Sequence, residues 1–214
     1  MEVVRANGLE IVYERGGKGP PLVLVHGAAV DSRMSCRGLS WGGTVALELY
    51  RRRPELVATL ILVDTYAGWK GSLPEQEVQA RVEGVRQMFA AEAGEFDPAL
   101  PGLFAGDPPA EFVPLLEAMA ADVRPESMRA ALSVMAEADE RDLLPRIAVP
   151  SLLIWGELDA RSPLSVAREF ERAIPDAKLA VIADAGHVSN LEQPERFNDI
   201  VREFCRVHSP RSRT

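Results

Sequence analysis

The chain has 214 residues, of which 47% are apolar, and 32 acidic against 24 basic side chains give it a net charge of −8. This length and apolar content allow one substantial core, which excludes a short disulfide-stapled scaffold and a wholly disordered chain. The negative charge argues against a protein whose main partner is the phosphate backbone of a nucleic acid.

The cysteine content and the N-terminal residues bear on the cellular compartment. Two cysteines, Cys36 and Cys205, are too few for a disulfide framework and favour a reducing compartment. Charged residues interrupt the first 17 positions where a signal peptide needs apolar ones. No run approaches the length of about 18 apolar residues that a membrane span needs. The sequence therefore predicts a soluble, cytoplasmic protein with no membrane partner.

Apolar runs along the chain predict the strands. Short β-prone runs around Asn7-Gly8 predict an N-terminal hairpin, because this dipeptide supplies the positive φ angles of a tight turn. Four further runs are typical of strands buried in a parallel sheet. They cover residues 21–25, 58–63, 151–155 and 178–182.

Helical patterns separate or follow these runs at residues 43–53, 163–173 and 194–207. Ser162 precedes Pro163 and is therefore predicted to cap the second of these helices. Alternating strands and helices predict an α/β fold, with a largely parallel sheet flanked by helices.

Residues 66–142 interrupt this alternation with a connection far longer than a simple crossover needs. Helical patterns fill it at 75–93, 111–122 and 125–138. We therefore expect an α/β core from residues 1–65 and 143–208, a helical cap from 66–142 inserted between two strands, and a disordered tail at 209–214.

The sequence Gly38-Leu39-Ser40-Trp41-Gly42, followed by Gly43 and a helical run, is typical of a tight strand-to-helix turn that carries a nucleophilic serine. Glycines are expected beside the serine because side chains there would collide with neighbouring chain. The helix that follows directs free N–H groups toward the serine and favours an anionic intermediate. Taken alone, the motif is equally compatible with an ordinary glycine-rich turn.

The order of polar residues along the chain supports the catalytic interpretation. Asp159 follows the run at 151–155, and His187 follows the run ending at Ile182. The order serine, acid, histidine is that of one hydrolase architecture. Each residue lies beyond the carboxyl end of a predicted parallel strand, where open α/β sheets build their sites.

With these pieces the chain resembles α/β-hydrolases of the esterase, lactonase and C–C hydrolase kind. The matching segments are Val-His-Gly-Ala at 25–28, the serine turn at 38–43, Leu-Ile-Leu-Val-Asp at 60–64, Leu-Ile-Trp-Gly-Glu-Leu-Asp at 153–159, and 185–197 around His187. A serine at position 40 distinguishes it from the haloalkane dehalogenase and epoxide hydrolase branches, which attack with aspartate.

The resemblance implies a role for each site residue. Ser40 would be the nucleophile, His187 the general base and then acid, and Asp159 the carboxylate that orients the imidazole. The backbone N–H groups of Ala28 and Trp41 would form the oxyanion hole. The substrate would be a small ester-like molecule.

Several residues compete for these roles or are set aside. Asp64 ends another strand and is an alternative acid, as is Glu157. His26 is expected to shape a turn, and His208 near the tail is expected to be solvated. No metal-binding motif or P-loop spacing is present, so neither a metal nor another cofactor is predicted.

The chain departs from the family in one place. Only twelve residues, 28–39, separate Gly27 from Ser40. The resemblance implies a helix, a strand, another helix and the central strand there, so that about 50 or more residues are absent. A chain that descends and climbs again to form a parallel neighbour needs about 34 Å, and twelve extended residues span at most about 40 Å. The path leaves no room for a helix.

Three functional hypotheses remain at this point. The first is a serine hydrolase that cleaves a small carboxylic ester, lactone or related acyl compound through an acyl-enzyme. The second is a degenerate or truncated hydrolase fold without efficient catalysis, whether the shortening is natural or an error in the assigned coding sequence. The third is acyl transfer or cofactor-free perhydrolysis on the same triad. The missing central strand also makes association into a homodimer an expected outcome.

Overall fold

The computed structural model of the chain describes residues 2–6, 8–18, 22–27, 38–90, 102–122 and 124–208. The strands are β1 (Glu2–Ala6), β2 (Leu9–Tyr13), β3 (Leu60–Val63), β4 (Ser151–Gly156) and β5 (Ala177–Ile182). The helices are α1 (Trp41–Arg52), α2 (Glu75–Ala90), α3 (Val113–Asp122), α4 (Pro125–Glu137), α5 (Leu164–Ala173), α6 (Ser189–Glu192) and α7 (Pro194–His208). Among the helices of these residues, none is both long and apolar enough to cross a membrane.

Strands β3, β4 and β5 form a parallel sheet in that order, which confirms the predicted α/β class. Leu39 adds a single parallel bridge to Val63 at the outer side of β3. Because the strands are parallel, their carboxyl ends lie at one edge of the sheet, and Ser40 joins them there. The sheet thus brings together residues that are far apart in the sequence.

Alternate side chains of the strands bury against helices on the two faces of the sheet. Leu62 and Leu153 pack with α5 through Phe170 and with α1 through Leu47. On the opposite face, Ile154 belongs to an apolar cluster with residues of α7. Every residue of β3 and β4 is buried, as expected for strands covered on both faces.

Helices α2, α3 and α4 occupy the long connection between β3 and β4, as the helical patterns predicted. Tyr66, Trp69 and Met135 form an apolar cluster there, against which Trp41 packs. Residues 91–93, predicted to extend α2, lie outside the described residues. The division of the chain into a core and a cap stays a prediction.

The predicted N-terminal hairpin is confirmed. Strands β1 and β2 pair antiparallel, with Ala6 opposite Leu9. Gly8 has a φ of 78°, the left-handed conformation that a tight hairpin turn requires. Asn7 and the tail at 209–214 lie outside the described residues.

The prediction of a buried strand at residues 21–25 is wrong for its described part. Residues 22–27 form no strand, and Leu22, Val23 and Leu24 are 51%, 69% and 47% exposed. An apolar run becomes a buried strand only where a neighbouring strand pairs with it. Among the described residues, the sheet stops at β3 and its single bridge to Leu39.

The N-cap prediction for Ser162 is also wrong. Helix α5 begins at Leu164, and Pro163 occupies the N-cap position without a side-chain bond. Ser162 is buried, and its hydroxyl donates to the carbonyl oxygen of Thr65 at 2.7 Å. A tertiary hydrogen bond therefore replaces the local capping bond.

We expect the 214-residue chain to be poorly soluble, to dimerise, or to show weak hydrolase activity compared with longer relatives. The exposed apolar run at Leu22–Leu24 offers backbone and side chains for pairing between molecules. Light scattering after size-exclusion chromatography, with thermal unfolding and an esterase assay, measures these properties. A monodisperse monomer with a sharp transition and turnover near about 10 s⁻¹ would contradict the expectation.

Candidate active site

Ser40 lies in a strained turn between the Leu39 bridge and the first residue of α1. Its φ of 52° and ψ of −119° are unusual for a residue with a side chain. Such strain costs about 1–3 kcal/mol and persists only where surrounding structure imposes it. Here the Ser40 N–H donates to the Val63 carbonyl at 3.0 Å, and the Ser40 carbonyl accepts the N–H of Gly43 at 3.0 Å.

Three glycines make this turn possible, as the sequence motif predicted. Gly38 has a φ of 66° and lies against the backbone of β3. A methyl group on Gly42 would overlap the carbonyl oxygen of Val25, and one on Gly43 would overlap the side chain of Thr65. Larger residues would therefore displace either the serine or the chain segment before it.

Helix α1 starts directly after Ser40, so its positive end lies beside the serine. Its first turn contains no acidic residue that would neutralise this end. The Trp41 N–H belongs to this first turn, and its place in an oxyanion hole stays a prediction. Ala28, the other predicted donor, lies outside the described residues.

Asp159 and His187 form a buried pair. The distance from His187 Nδ1 to Asp159 Oδ2 is 2.9 Å, and both side chains are almost fully buried. The other carboxylate oxygen of Asp159 accepts the backbone N–H groups of Arg161 and Ser162, each at 2.8 Å. The carboxylate is therefore held on both sides and presents one oxygen to the imidazole.

The loop that carries His187 is clamped by Glu192. One oxygen of Glu192 accepts the N–H of Gly186 at 2.6 Å, and the other accepts the N–H of Ala105 at 2.8 Å. The N–H of Val188 also donates to the Leu103 carbonyl at 3.1 Å. These bonds fix the histidine loop against the segment that precedes α3.

A continuous chain of hydrogen bonds joins the serine turn to this pair. The Thr65 hydroxyl donates to the Ser40 carbonyl, and the Thr65 carbonyl accepts the hydroxyl of Ser162. Ser162 in turn donates its N–H to Asp159, which bonds to His187. The structure thus brings the three sequence-predicted residues to one edge of the sheet.

Asp64, the alternative acid, has other partners. One carboxylate oxygen accepts the N–H of Gly156 and the other bonds to the hydroxyl of Ser189, each at 2.8 Å. Asp64 therefore links the ends of β3 and β4 to the loop after His187. Complete burial, and then the nearby Asp159 carboxylate, raise the pKa of Asp64 well above its usual value.

The remaining candidates lie apart from this pair. Glu157 is exposed. His26 is exposed as well, and its Nδ1 lies 2.8 Å from the Gly27 carbonyl. His208, which is expected to be solvated, is partly exposed, and its ring packs on Phe204 at a centroid distance of 4.7 Å. Among the described residues, no group of three His, Cys, Asp or Glu side chains could hold a metal ion.

Sequence reasoning missed the residues that connect the site. Thr65, Ser162, Ser189 and Glu192 act through hydrogen bonds to residues far away in the chain. Their positions in the sequence are the one feature that could have pointed to them. Thr65 closely follows strand β3, and Ser189 and Glu192 closely follow His187. Polar residues at strand ends and beside a site histidine are natural candidates for such contacts.

The raised pKa of Asp64 predicts a pH-dependent stability. The folded carboxyl keeps its proton at pH values where the unfolded one has lost it, so the folded state binds more protons. Stability then falls as pH rises above the usual carboxyl pKa of about 4. Asp64→Asn removes this pH-dependent loss of stability, because asparagine does not ionise. We expect the free energy of unfolding of the wild type to fall, relative to that of Asp64→Asn, by up to about 1.4 kcal/mol per pH unit.

Urea unfolding of both proteins between about pH 4 and pH 8 measures this difference. Asp107→Asn is the matched control, because Asp107 is exposed. Its difference from the wild type should not change with pH. Parallel curves for the wild type and Asp64→Asn would show that Asp64 is ionised throughout the range.

The comparisons with known proteins agree with this arrangement. A model described as "Alpha/beta hydrolase family" matches residues 38–200, beginning at the first glycine of the serine turn. One curated relative is the pimeloyl-[acyl-carrier protein] methyl ester esterase of Aromatoleum aromaticum. It is 33% identical over 191 residues, and the alignment covers 82% of this chain and 75% of that protein.

Two solved esterase structures resemble the fold. An esterase from Thermogutta terrifontis matches with a TM-score of 0.66 and 32% identity, over 80% of this chain and 64% of that one. An esterase from Exiguobacterium antarcticum matches with a TM-score of 0.67 and 23% identity, over 79% and 65%. The second likeness concerns the fold alone. The chain thus spans about two thirds of the length of these solved relatives.

Proposed function

The chain belongs to the alpha/beta hydrolase family, and on this premise we propose that it is a serine hydrolase that cleaves small carboxylic esters through an acyl-enzyme. The observation that carries the proposal is the strained turn at Ser40, joined by hydrogen bonds to the buried Asp159–His187 pair. A serine held in this conformation at a helix N-terminus is the arrangement of a nucleophile elbow.

In the proposed first step, Ser40 Oγ attacks the ester carbonyl carbon and gives its proton to His187 Nε2. Asp159 accepts the Nδ1–H of His187, which fixes the tautomer and stabilises the imidazolium. The oxyanion lies at the start of α1, where the Trp41 N–H donates to it. Ala28, the other donor that the sequence predicts, lies outside the described residues.

The tetrahedral intermediate then collapses, and the C–O bond to the alcohol breaks. His187 returns the proton to the leaving alkoxide, which leaves as the alcohol. Water attacks the acyl-enzyme with His187 again as the base, and the products are a carboxylic acid and free Ser40. The overall reaction consumes one ester and one water.

The relatives support the reaction class rather than one substrate. The curated relatives are named for methyl ester hydrolysis, and the two solved relatives described above are named as esterases. Since this chain spans only part of their length, its activity and substrate stay proposals. An ester with a small alcohol is the substrate class that these names favour.

Turnover of 4-nitrophenyl acetate and butyrate, together with release of acid from simple methyl esters, tests the proposal. Ser40→Ala, purified in the same way, measures the background. We expect hydrolysis by the wild type well above that background. A folded wild-type chain with no turnover above the Ser40→Ala background would disprove the proposed function.

A second candidate is a hydrolase fold that has lost efficient catalysis. The exposure of Leu22, Val23 and Leu24 favours it, because residues 22–27 contact the serine turn at Gly42. If few contacts hold residues 22–27 in place, the serine turn that they contact is less firmly held as well. Reaction of Ser40 with an active-site reagent separates the two candidates.

A further inference from the structure

Glu192 connects the loop of His187 to a distant segment of the chain. It is the last residue of α6, which begins two residues after His187. One of its carboxylate oxygens accepts the N–H of Gly186 at 2.6 Å, and the other accepts the N–H of Ala105 at 2.8 Å. A single side chain therefore ties the residue before His187 to the chain between α2 and α3.

These two segments touch at the level of the backbone. A methyl group on Gly186 would lie 2.5 Å from the Ala105 nitrogen and 2.6 Å from the backbone carbonyl carbon of Phe104, closer than real contacts allow. The N–H of Val188 donates to the Leu103 carbonyl at 3.1 Å. Leu103 and Phe104 are buried in the same apolar cluster as Val188. The position of the histidine loop therefore depends on the position of the segment before α3.

Contacts lie on both sides of His187. Glu192 holds the residue before it, and Asp64 holds the second residue after it through a serine hydroxyl. Between them, the imidazole must keep its Nδ1 2.9 Å from Asp159. Hydrogen bonds weaken steeply when their geometry changes, and a displacement of about 1 Å at a reacting group can cost about 10²-fold in rate. Small movements of the loop backbone would therefore affect the base.

A carboxylate is suited to this position because it offers only acceptors. It meets two backbone N–H groups that approach it from different segments. Hydrogen bonds to an ionised acceptor are about twice as strong as neutral ones. Glu192 is half-buried, and none of the ion pairs among the described residues includes it. Its two oxygens are therefore available to these backbone donors.

From these contacts we propose that Glu192 is a positioning residue for the hydrolysis proposed above. It acts through Gly186 and Ala105: by joining the two segments, it keeps the imidazole of His187 aligned with Asp159. The proposal rests on the proposed function, in which His187 is the base of both chemical steps. When either bond of Glu192 is lost, the loop shifts and both steps slow together.

Glu192→Gln tests the proposal by kinetics. The variant keeps the length of the side chain and one acceptor oxygen, but it places an NH₂ group against a backbone N–H. We expect kcat for 4-nitrophenyl acetate to fall about 10-fold, because one charge-assisted bond is lost and the other becomes neutral. KM should change little, since both chemical steps slow together. A residue with a structural role alone would lower the stability and leave kcat of the folded protein unchanged.

Two further variants define the cause of the loss. Glu195→Gln is the matched control, because Glu195 is exposed in the first turn of α7, and its kcat should equal that of the wild type. Glu192→Asp keeps the charge but is one methylene shorter, so it cannot reach both N–H groups, and its kcat should also fall. It gives the same test if Glu192→Gln does not fold. A wild-type kcat in either variant at position 192 would overturn the proposal.

A measurement that needs no turnover separates this proposal from the proposed function. The Nδ1–H proton of His187 faces Asp159, and its exchange with water can be followed by NMR after nitrogen-15 labelling of the three histidines. His187→Ala identifies the signal. We expect exchange at least about 10-fold faster in Glu192→Gln than in the wild type and Glu195→Gln, because the loop opens more often.

The outcomes of this measurement are distinct. If the wild type hydrolyses no ester but exchange is faster in Glu192→Gln as expected, the positioning role of Glu192 stands and the esterase function fails. If exchange is equal in the wild type and Glu192→Gln, the positioning role is disproved, whatever the values of kcat.

Discussion

Replacing Ser40 with alanine is expected to lower kcat/KM for ester hydrolysis by about 10³-fold or more. The hydroxyl is the only group in the strained turn that can form the acyl-enzyme, and the glycines around it leave no room for another side chain. His187→Ala should cause a loss of the same order, because the serine then has no base. The double variant should be little worse than either single one, since the two residues act as one unit.

Initial rates on 4-nitrophenyl acetate, with circular dichroism to check the fold, measure these losses. Ser133→Ala is a matched control, because Ser133 is exposed on α4. Its rate should stay within a factor of about two of the wild type. Activity that survives Ser40→Ala within a factor of a few would remove Ser40 from the nucleophile role.

Asp159→Asn is also expected to cause a large loss, on the order of 10³- to 10⁴-fold in kcat. The carboxylate lies 2.9 Å from His187 Nδ1 and is fully buried, so water cannot replace it. An amide in its place does not stabilise the imidazolium and favours the wrong tautomer. The fold should persist, because the amide keeps one oxygen for the N–H groups of Arg161 and Ser162.

Asp64→Asn is the comparison for this prediction, and its effect on kcat should be much smaller. Asp64 bonds to Gly156 and Ser189 and reaches the histidine loop only through them. If Asp64→Asn in a folded chain lowers kcat more than Asp159→Asn does, the two aspartates must exchange roles.

The parallel sheet could be predicted because each of its strands is a local run of apolar residues in the sequence. The apolar runs at Leu60–Val63 and Ser151–Gly156 are bounded by turn residues, and each is buried throughout. The serine turn could be predicted in the same way. Its glycines are required because a methyl group at these positions would overlap neighbouring atoms. Local steric rules decide both features.

The run at Leu22–Leu24 shows where local patterns fail. It is as apolar as β3, but burial depends on a partner strand, and the described residues contain no strand that pairs with it. The choice of Asp159 over Asp64 rested on the resemblance, because the local pattern alone does not separate the two residues. Both follow a strand, and only the tertiary hydrogen bonds distinguish the residue beside His187 from the one that braces the loop.

Labelling with a fluorophosphonate tests the central claim, that Ser40 is an activated nucleophile, most directly. We predict one phosphonyl group per chain, located by mass spectrometry on the peptide that contains Ser40. The label should be absent from Ser40→Ala and should form far more slowly in Asp159→Asn. A folded chain in which Ser40 stays unlabelled, or in which Asp159→Asn is labelled as fast as the wild type, would contradict the claim.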